Sequence, residues 1–149
     1  MEHPDDADRL IFKLIYILKR LTDKWATLNL STMTSVAFNV TFMPYFMSIG
    51  NDGISNHALV NKIKVTKQAV SKTVKELESL GLVYTGKSEN DARSIMIFLT
   101  PEGKVLYTAV RKMADELSEE YARFIGIKKY DQFIDTLIRL VSFHEELDQ

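Results

Sequence analysis

Apolar residues at Leu10, Ile11, Leu14, Ile15, Leu18, Leu21, Trp25 and Leu28 recur at helical spacing, leaving one dry face along the chain. They predict a first long helix over residues 6 to 29. A second stripe runs through Leu106, Val110, Met113, Leu117, Tyr121 and Phe124. It follows Thr100-Pro101-Glu102, which supplies a capping hydroxyl, a proline at the first helical position and an acid at the positive helix end. Gly126 breaks that stripe, and Tyr130, Phe133, Ile134, Leu137, Ile138 and Val141 mark a last helix.

Between the long helices the periods shorten. Residues 30 to 41, rich in Ser, Thr and Asn, fit either a short helix or a turn, and residues 42 to 49 read as a short buried helix that tolerates Pro44 in its first turn. Gly50-Asn51-Asp52-Gly53 is a clear break. Ser55 and Thr66 are placed to cap helices ending near Ile63 and Leu80, and Gly81 suits the left-handed position after the second. Leu82 to Thr85 and Ser94 to Leu99 read as strands joined by the polar link from Gly86 to Arg93. The expected fold is mainly α with a small two- or three-stranded β wing. In this single chain of residues 1 to 149, a winged helix-turn-helix lobe spans 42 to 99, and helical dimerisation regions span 6 to 29 and 100 to 147.

Charge alters this picture by its location. The chain carries a net −1, yet residues 61 to 93 hold seven Lys/Arg against four Asp/Glu, and 61 to 75 hold five lysines and no acid. Such a local basic patch, more than the total, is the electrostatic footprint of a nucleic-acid partner. On a helix from Thr66 to Leu80, the residues Lys67, Gln68, Ser71, Lys72 and Lys75 fall on one side, and Ala69, Val70, Val74, Leu77 and Leu80 on the other. Lysine can reach guanine edges or phosphates, glutamine can pair with adenine, and hydroxyls serve either, so this face has what a major-groove helix needs. A lysine-bearing wet face also arises on helices that bind nothing. At the hairpin tip, Asp91 stands two residues before Arg93 and can orient its guanidinium, and an arginine on a narrow ribbon suits a minor groove. An exposed turn with an incidental ion pair is the plainer reading. Trp25 with Phe38, Phe42, Met43, Tyr45, Phe46 and Met47 forms either a hydrophobic effector pocket or ordinary core.

Other chemistries find little footing. Cysteine is absent, which removes disulfides, thiol catalysis and cysteine-zinc sites. His3, His57 and His144 are scattered over terminus, turn and last helix, and no HExxH, phosphate loop or GxSxG occurs. His144-Glu145-Glu146 reads as a solvated helix end rather than a metal site. No catalytic centre, metal or cofactor is expected. The acidic start Met1-Glu2-His3-Pro4-Asp5-Asp6 lacks a signal-peptide pattern, and the apolar runs are too short to span a bilayer, so a cytoplasmic protein without membrane contact is expected.

The ordered set of motifs resembles the MarR family of bacterial regulators. The resemblance runs from Leu59 to Lys104, through the stretch Leu59 to Lys72, then Leu77-Glu78-Ser79-Leu80-Gly81-Leu82-Val83, the wing signature Asp91-Ala92-Arg93-Ser94, and Leu99-Thr100-Pro101-Glu102-Gly103. The departures are Val60, where relatives commonly have alanine, Thr85, where they often have a basic residue, and a short wing whose cations are Lys87 and Arg93. The resemblance implies a recognition helix from Thr66, a wing whose Arg93 enters the minor groove with Asp91 orienting it, and intertwined terminal helices in a symmetric dimer on a pseudo-palindrome. It also implies release from DNA by a small aromatic effector.

Thr66, Lys67, Gln68, Ser71, Lys72, Lys75, Lys87, Asp91 and Arg93 are therefore the candidate DNA contacts, and Trp25, Phe42, Tyr45 and Phe46 the candidate ligand contacts. The expected partners are double-stranded DNA, a second copy of the chain and an aromatic effector, and the expected function is that of a homodimeric repressor. Unpartnered terminal helices support the dimer independently, since a small lobe cannot cover them; a larger monomeric bundle is the other solution. The rival functions are a winged-helix module that binds an acidic protein and a non-specific chromosome-coating protein, which the low overall charge disfavours.

Overall fold

A computed structural model describes residues 7–90 and 93–148. The first helix, α1 (Ile11–Met33), is displaced relative to the expected 6 to 29. Leu10 precedes it in extended conformation with no side-chain cap. It continues past residue 29 because the hydroxyls of Ser31 and Thr32 bond back to the carbonyls of Leu28 and Asn29, keeping polar residues inside the helix. Thr34, extended at φ −148°, ends it. Before α1, the Lys13 ammonium hydrogen-bonds Asp8 at 2.8 Å and holds that exposed carboxyl below the usual carboxylate range.

The ambiguous stretch up to residue 41 is thus the end of α1, an irregular segment and the start of a 3-10 turn (Val40–Phe42) on which Asn39 closes its side chain. The buried helix expected over 42 to 49 is shorter, α2 (Met43–Met47), with Pro44 in its first turn. After the break, β1 (Ile54–Ser55) leads directly into α3 (Asn56–Ile63), which Ser55 caps by accepting from Ala58 N–H at 3.0 Å. His57 therefore lies in the first turn of the helix that Ser55 caps. The helix expected from Thr66 to Leu80 forms α4 (Lys67–Ser79), capped by Thr66 Oγ1 on Ala69 N–H at 3.1 Å. Gly81 takes φ +75° after it, as its position requires.

The wing is a three-stranded antiparallel sheet in the order β1-β3-β2, with β2 (Val83–Lys87) and β3 (Ile95–Leu99). Val83 faces Leu99 at one end of the β2–β3 ladder and Lys87 faces Ile95 at the other. Gly86 and Lys87, expected in the connecting link, belong to the strand, and Ser88 N–H closes the hairpin on the Ser94 carbonyl at 3.1 Å.

The start of α5 (Pro101–Ile125) is locked to the residues that follow α4. Thr100 Oγ1 accepts from Gly103 N–H at 2.9 Å and donates to the Gly81 carbonyl at 2.6 Å, while Thr100 N–H bonds the Leu82 carbonyl. A Cβ at residue 103 would collide with that same Leu82 carbonyl, which explains the glycine. Gly126, at φ +98°, separates α5 from α6 (Ile127–Leu147).

The chain divides into two compact units, the first through Val110 and the second from Arg111. The core of the first joins Phe46, Leu59, Val70, Leu77, Leu82, Ile97 and Val110, all nearly or fully shielded from water. In the second, Tyr130 Oη donates to Ser118 Oγ at 2.7 Å and its ring lies 6.5 Å from that of Tyr121. Among the described residues, no helix is long and apolar enough to cross a membrane and no cluster of His, Asp and Glu could hold a metal.

Candidate nucleic-acid interface

Val70, Val74 and Leu77 bury one side of α4 against the lobe, and this fixes which side faces water. Thr66, Lys67, Gln68, Ser71, Lys72 and Lys75 are all exposed on the other side. Burial therefore divides the helix along the line the sequence pattern predicts. The turn that presents it is three residues long and carries a feature with no sequence signal. Lys64, a non-glycine, adopts left-handed φ +59°, ψ +48°, with its N–H on the Val60 carbonyl and its ammonium on the Asn61 carbonyl.

Two grooves flank the helix. One, of about 440 Å³, is lined by Ser55, Asn56 and His57 from the start of α3, Lys67 from α4, and Arg93 and Ser94 from the wing. Its width brings two of the expected DNA contacts, Lys67 and Arg93, to the same depression. The other, of about 220 Å³, places Ser71 and Lys75 opposite Thr85 and Ile95 of the sheet. Gln68 and Lys72 line neither groove and stand on the helix surface between solvent and neighbours. Lys87 is exposed at the end of β2. Asp91 lies outside the described residues.

Ser55, Asn56, His57 and Ser94 line this surface without having been among the expected contacts. Their signal was weak: a histidine one residue inside a capped helix carries no motif, and its neighbours come from Lys67 and Arg93, distant in sequence. His57 Nε2 lies 3.2 Å from the Asn61 amide nitrogen one helical turn on.

The candidate ligand residues behave differently. Phe46 is fully buried, with its ring 5.2 Å from Phe38 and 6.3 Å from Tyr107, and Phe42 meets Phe38 edge-on at 5.7 Å. Trp25 and Tyr45, both half-buried, make none of these ring contacts. A separate apolar groove of about 240 Å³ opens between the end of α1 and the start of α5, lined by Met33, Val36, Leu82, Val105, Leu106 and Ala109.

The family model described as "MarR family" matches residues 45–94, which run from α2 through the wing to the start of its return strand. A transcriptional regulator of Methanosarcina mazei assigned to the same family superimposes with a TM-score of 0.78 at 22% identity, over 92% of this chain and 97% of that one. Residues 45–94 of the chain are thus similar to the MarR family, and the fold as a whole is of that type. In sequence, the chain is 28% identical over 90 residues to the HTH-type transcriptional regulator FarR of Neisseria gonorrhoeae, a match covering 60% of this chain. The MarR-type fold also matches Streptococcus pneumoniae FabT, solved in complex with DNA, with a TM-score of 0.77 at 17% identity over 95% of this chain and 99% of that one. The chain spans between 54% and 62% of the length of the curated relatives it matches in sequence.

Proposed function

We propose that this chain is a sequence-specific regulator of transcription that binds double-stranded DNA, acting as a homodimeric repressor on a pseudo-palindromic operator. The observation that carries the reading is the division of α4: three apolar residues anchor it while Thr66, Lys67, Gln68, Ser71, Lys72 and Lys75 stand in solvent, free of any acid until Glu76. Lys72 and Gln68 would read base edges or phosphates in the major groove, and Lys87 and Arg93, with Asp91 beside it in sequence, would engage the neighbouring backbone and minor groove. FarR, named a transcriptional regulator, and FabT, solved with DNA, support this use of the fold.

Two copies supply the symmetry. Phe12 of α1 is 81% exposed and Phe124 of α5 is 89% exposed, and α6 buries none of its residues. Apolar surface on this scale marks an interface. A twofold pairing would cover it and set two recognition helices one DNA turn, roughly 34 Å, apart. Effector control belongs to the same proposal: an aromatic molecule entering beside Trp25, Phe42 and Tyr45, next to the closed Phe46 core, would shift the dimer away from its DNA-binding geometry. The only tryptophan of the chain, Trp25, would report its arrival by fluorescence.

Selection from randomised double-stranded DNA at moderate salt tests the reading. The expected product is an inverted repeat with half-sites one helical turn apart, bound more weakly after Lys72→Ala or Arg93→Ala. If Lys72 meets a phosphate, its loss weakens all sequences alike and lowers the salt slope by about 1. Weak binding with no enriched sequence would overturn the proposal in favour of a winged-helix module whose lysine face meets an acidic protein.

A further inference from the structure

We propose that Thr100 is a positioning residue: its hydroxyl fixes the joint between α4 and α5 and so sets the half-site spacing that the dimer accepts. This extends the homodimeric DNA-binding reading above, on which it rests, from contacts to geometry. Gly81 and Leu82 close off the end of α4. Gly81 N–H donates to the Glu78 carbonyl at 2.9 Å, and Leu82 N–H to the Leu77 carbonyl at 3.1 Å. The carbonyls of the same two residues are taken from the other side. Gly81 accepts from the Thr100 hydroxyl at 2.6 Å and Leu82 from Thr100 N–H at 3.0 Å.

All four backbone polar groups of this joint are therefore engaged, two toward α4 and two toward the residue that caps α5. Most side-chain hydrogen bonds among the described residues close locally, whereas the one from Thr100 to Gly81 spans 19 residues. The two residues of the joint differ in what else holds them. Leu82 is 2% exposed and belongs to the core. Gly81 takes φ +75°, and a Cβ there would meet nothing within 4 Å, so packing at that position could not restrain it. Without the Thr100 hydroxyl, Gly81 regains a glycine's torsional freedom directly after α4, the position of a hinge.

What the joint governs follows from the helix it moors. α5 runs unbroken from Pro101 to Ile125, and Phe124 near its far end is among the exposed apolar residues left for a second copy. In the dimer each α4 must reach its half-site at a fixed separation from the other, and each meets its own α5 through Thr100. Thr100 also caps α5, accepting from Gly103 N–H at 2.9 Å. The two roles use different parts of one hydroxyl: the oxygen accepts for the cap, and the hydrogen donates for the joint. A carboxylate can fill only the first role, since it accepts and has no hydrogen to give.

Substitutions in the full chain separate the two roles. Thr100→Asp keeps the cap and loses the joint, Thr100→Ser keeps both, and Thr100→Ala loses both. Affinity is measured by fluorescence anisotropy on duplexes carrying the selected half-sites, at the selected spacing and at spacings about 2 base pairs shorter or longer, a shift of about one fifth of a DNA turn. Wild type and Thr100→Ser should favour the selected spacing by about a hundredfold, because avidity is lost where geometry forbids both half-sites at once. Thr100→Asp and Thr100→Ala should favour it by about tenfold or less, with the half-site sequence preference kept. Each variant is assayed below its own unfolding midpoint, and the pair keeps the test decisive if one of them does not fold. An unchanged spacing preference in the folded variants, or a loss of affinity equal at every spacing, overturns the positioning role and leaves Thr100 a helix cap. A wild type that selects no sequence, or only a lone half-site, overturns the dimeric regulator reading and the spacing role with it.

Discussion

The two compact units of the chain are stabilised in different ways. Of the buried apolar side chains among the described residues, all but Met113 belong to the unit ending at Val110. In that unit α3 and α4 begin on side-chain caps, Ser55 and Thr66, and the Thr100 hydroxyl closes the first turn of α5. In the second unit α6 begins at Gly126 with no side-chain cap and buries nothing, while Ile138, Val141 and Phe143 lie open. Its ion pairs, Arg123 to Glu120 at 2.7 Å and Arg111 to Asp115 at 3.9 Å, are exposed and contribute little. The lobe holds α4 in place from within. The last two helices need another surface to justify their sequence, and under the proposed function that surface is a second copy. α1 shares this character although it belongs to the first unit, since it buries only Ala26 and Leu30.

The most severe way to break this contrast is inside the lobe. Leu77, fully buried on the inner side of α4, should cost about 2–5 kcal/mol as Leu77→Ala, by lost burial and the cavity left behind. Thermal and denaturant unfolding would register this as a large fall in midpoint, against total stabilities of about 5–15 kcal/mol for such domains. A small effect would mean that the lobe borrows its stability from elsewhere, contrary to the comparison.

A charge on α6 probes the other side. Ile138→Asp combined with Val141→Asp adds two carboxylates to a face that is already exposed in one chain. Helix content and the lobe's core should survive. Sedimentation should show a monomer, and operator affinity should fall on the order of a hundredfold, because the second half-site is then no longer held at high effective concentration. A double variant that stayed dimeric would move the interface away from α6.

How much of this was legible in the sequence follows the range of the interactions. The caps at Ser55 and Thr66 and the apolar side of α4 are decided within a few residues, and both were read from spacing. The end of α1 was misplaced because Ser31 and Thr32 satisfy their hydroxyls within the helix, so a composition that favours turns did not make one. β1 is two residues long and exists only through its pairing with Ile97 and Met96 of β3, too short for any alternation to show. Lys64 in the left-handed region offered no glycine to mark the turn. The cleft around His57 depends on three elements meeting, which no local pattern encodes.

The caps sharpen the comparison at its finest scale. Thr66→Ala removes the acceptor for Ala69 N–H at the exposed start of α4, and should cost about 1 kcal/mol. Leu10 and Gly126, at the starts of α1 and α6, have no such hydrogen bond to lose. Because Thr66 also stands on the proposed DNA face, the alanine variant alone would mix two effects. Thr66→Ser separates them: it keeps the cap oxygen and drops the methyl group. Unfolding midpoints should fall for alanine and stay near wild type for serine. Operator affinity measured well below either midpoint then isolates any direct contact. Equal loss of stability in both variants would show that the methyl packing, rather than the capping hydroxyl, holds the start of α4 in place.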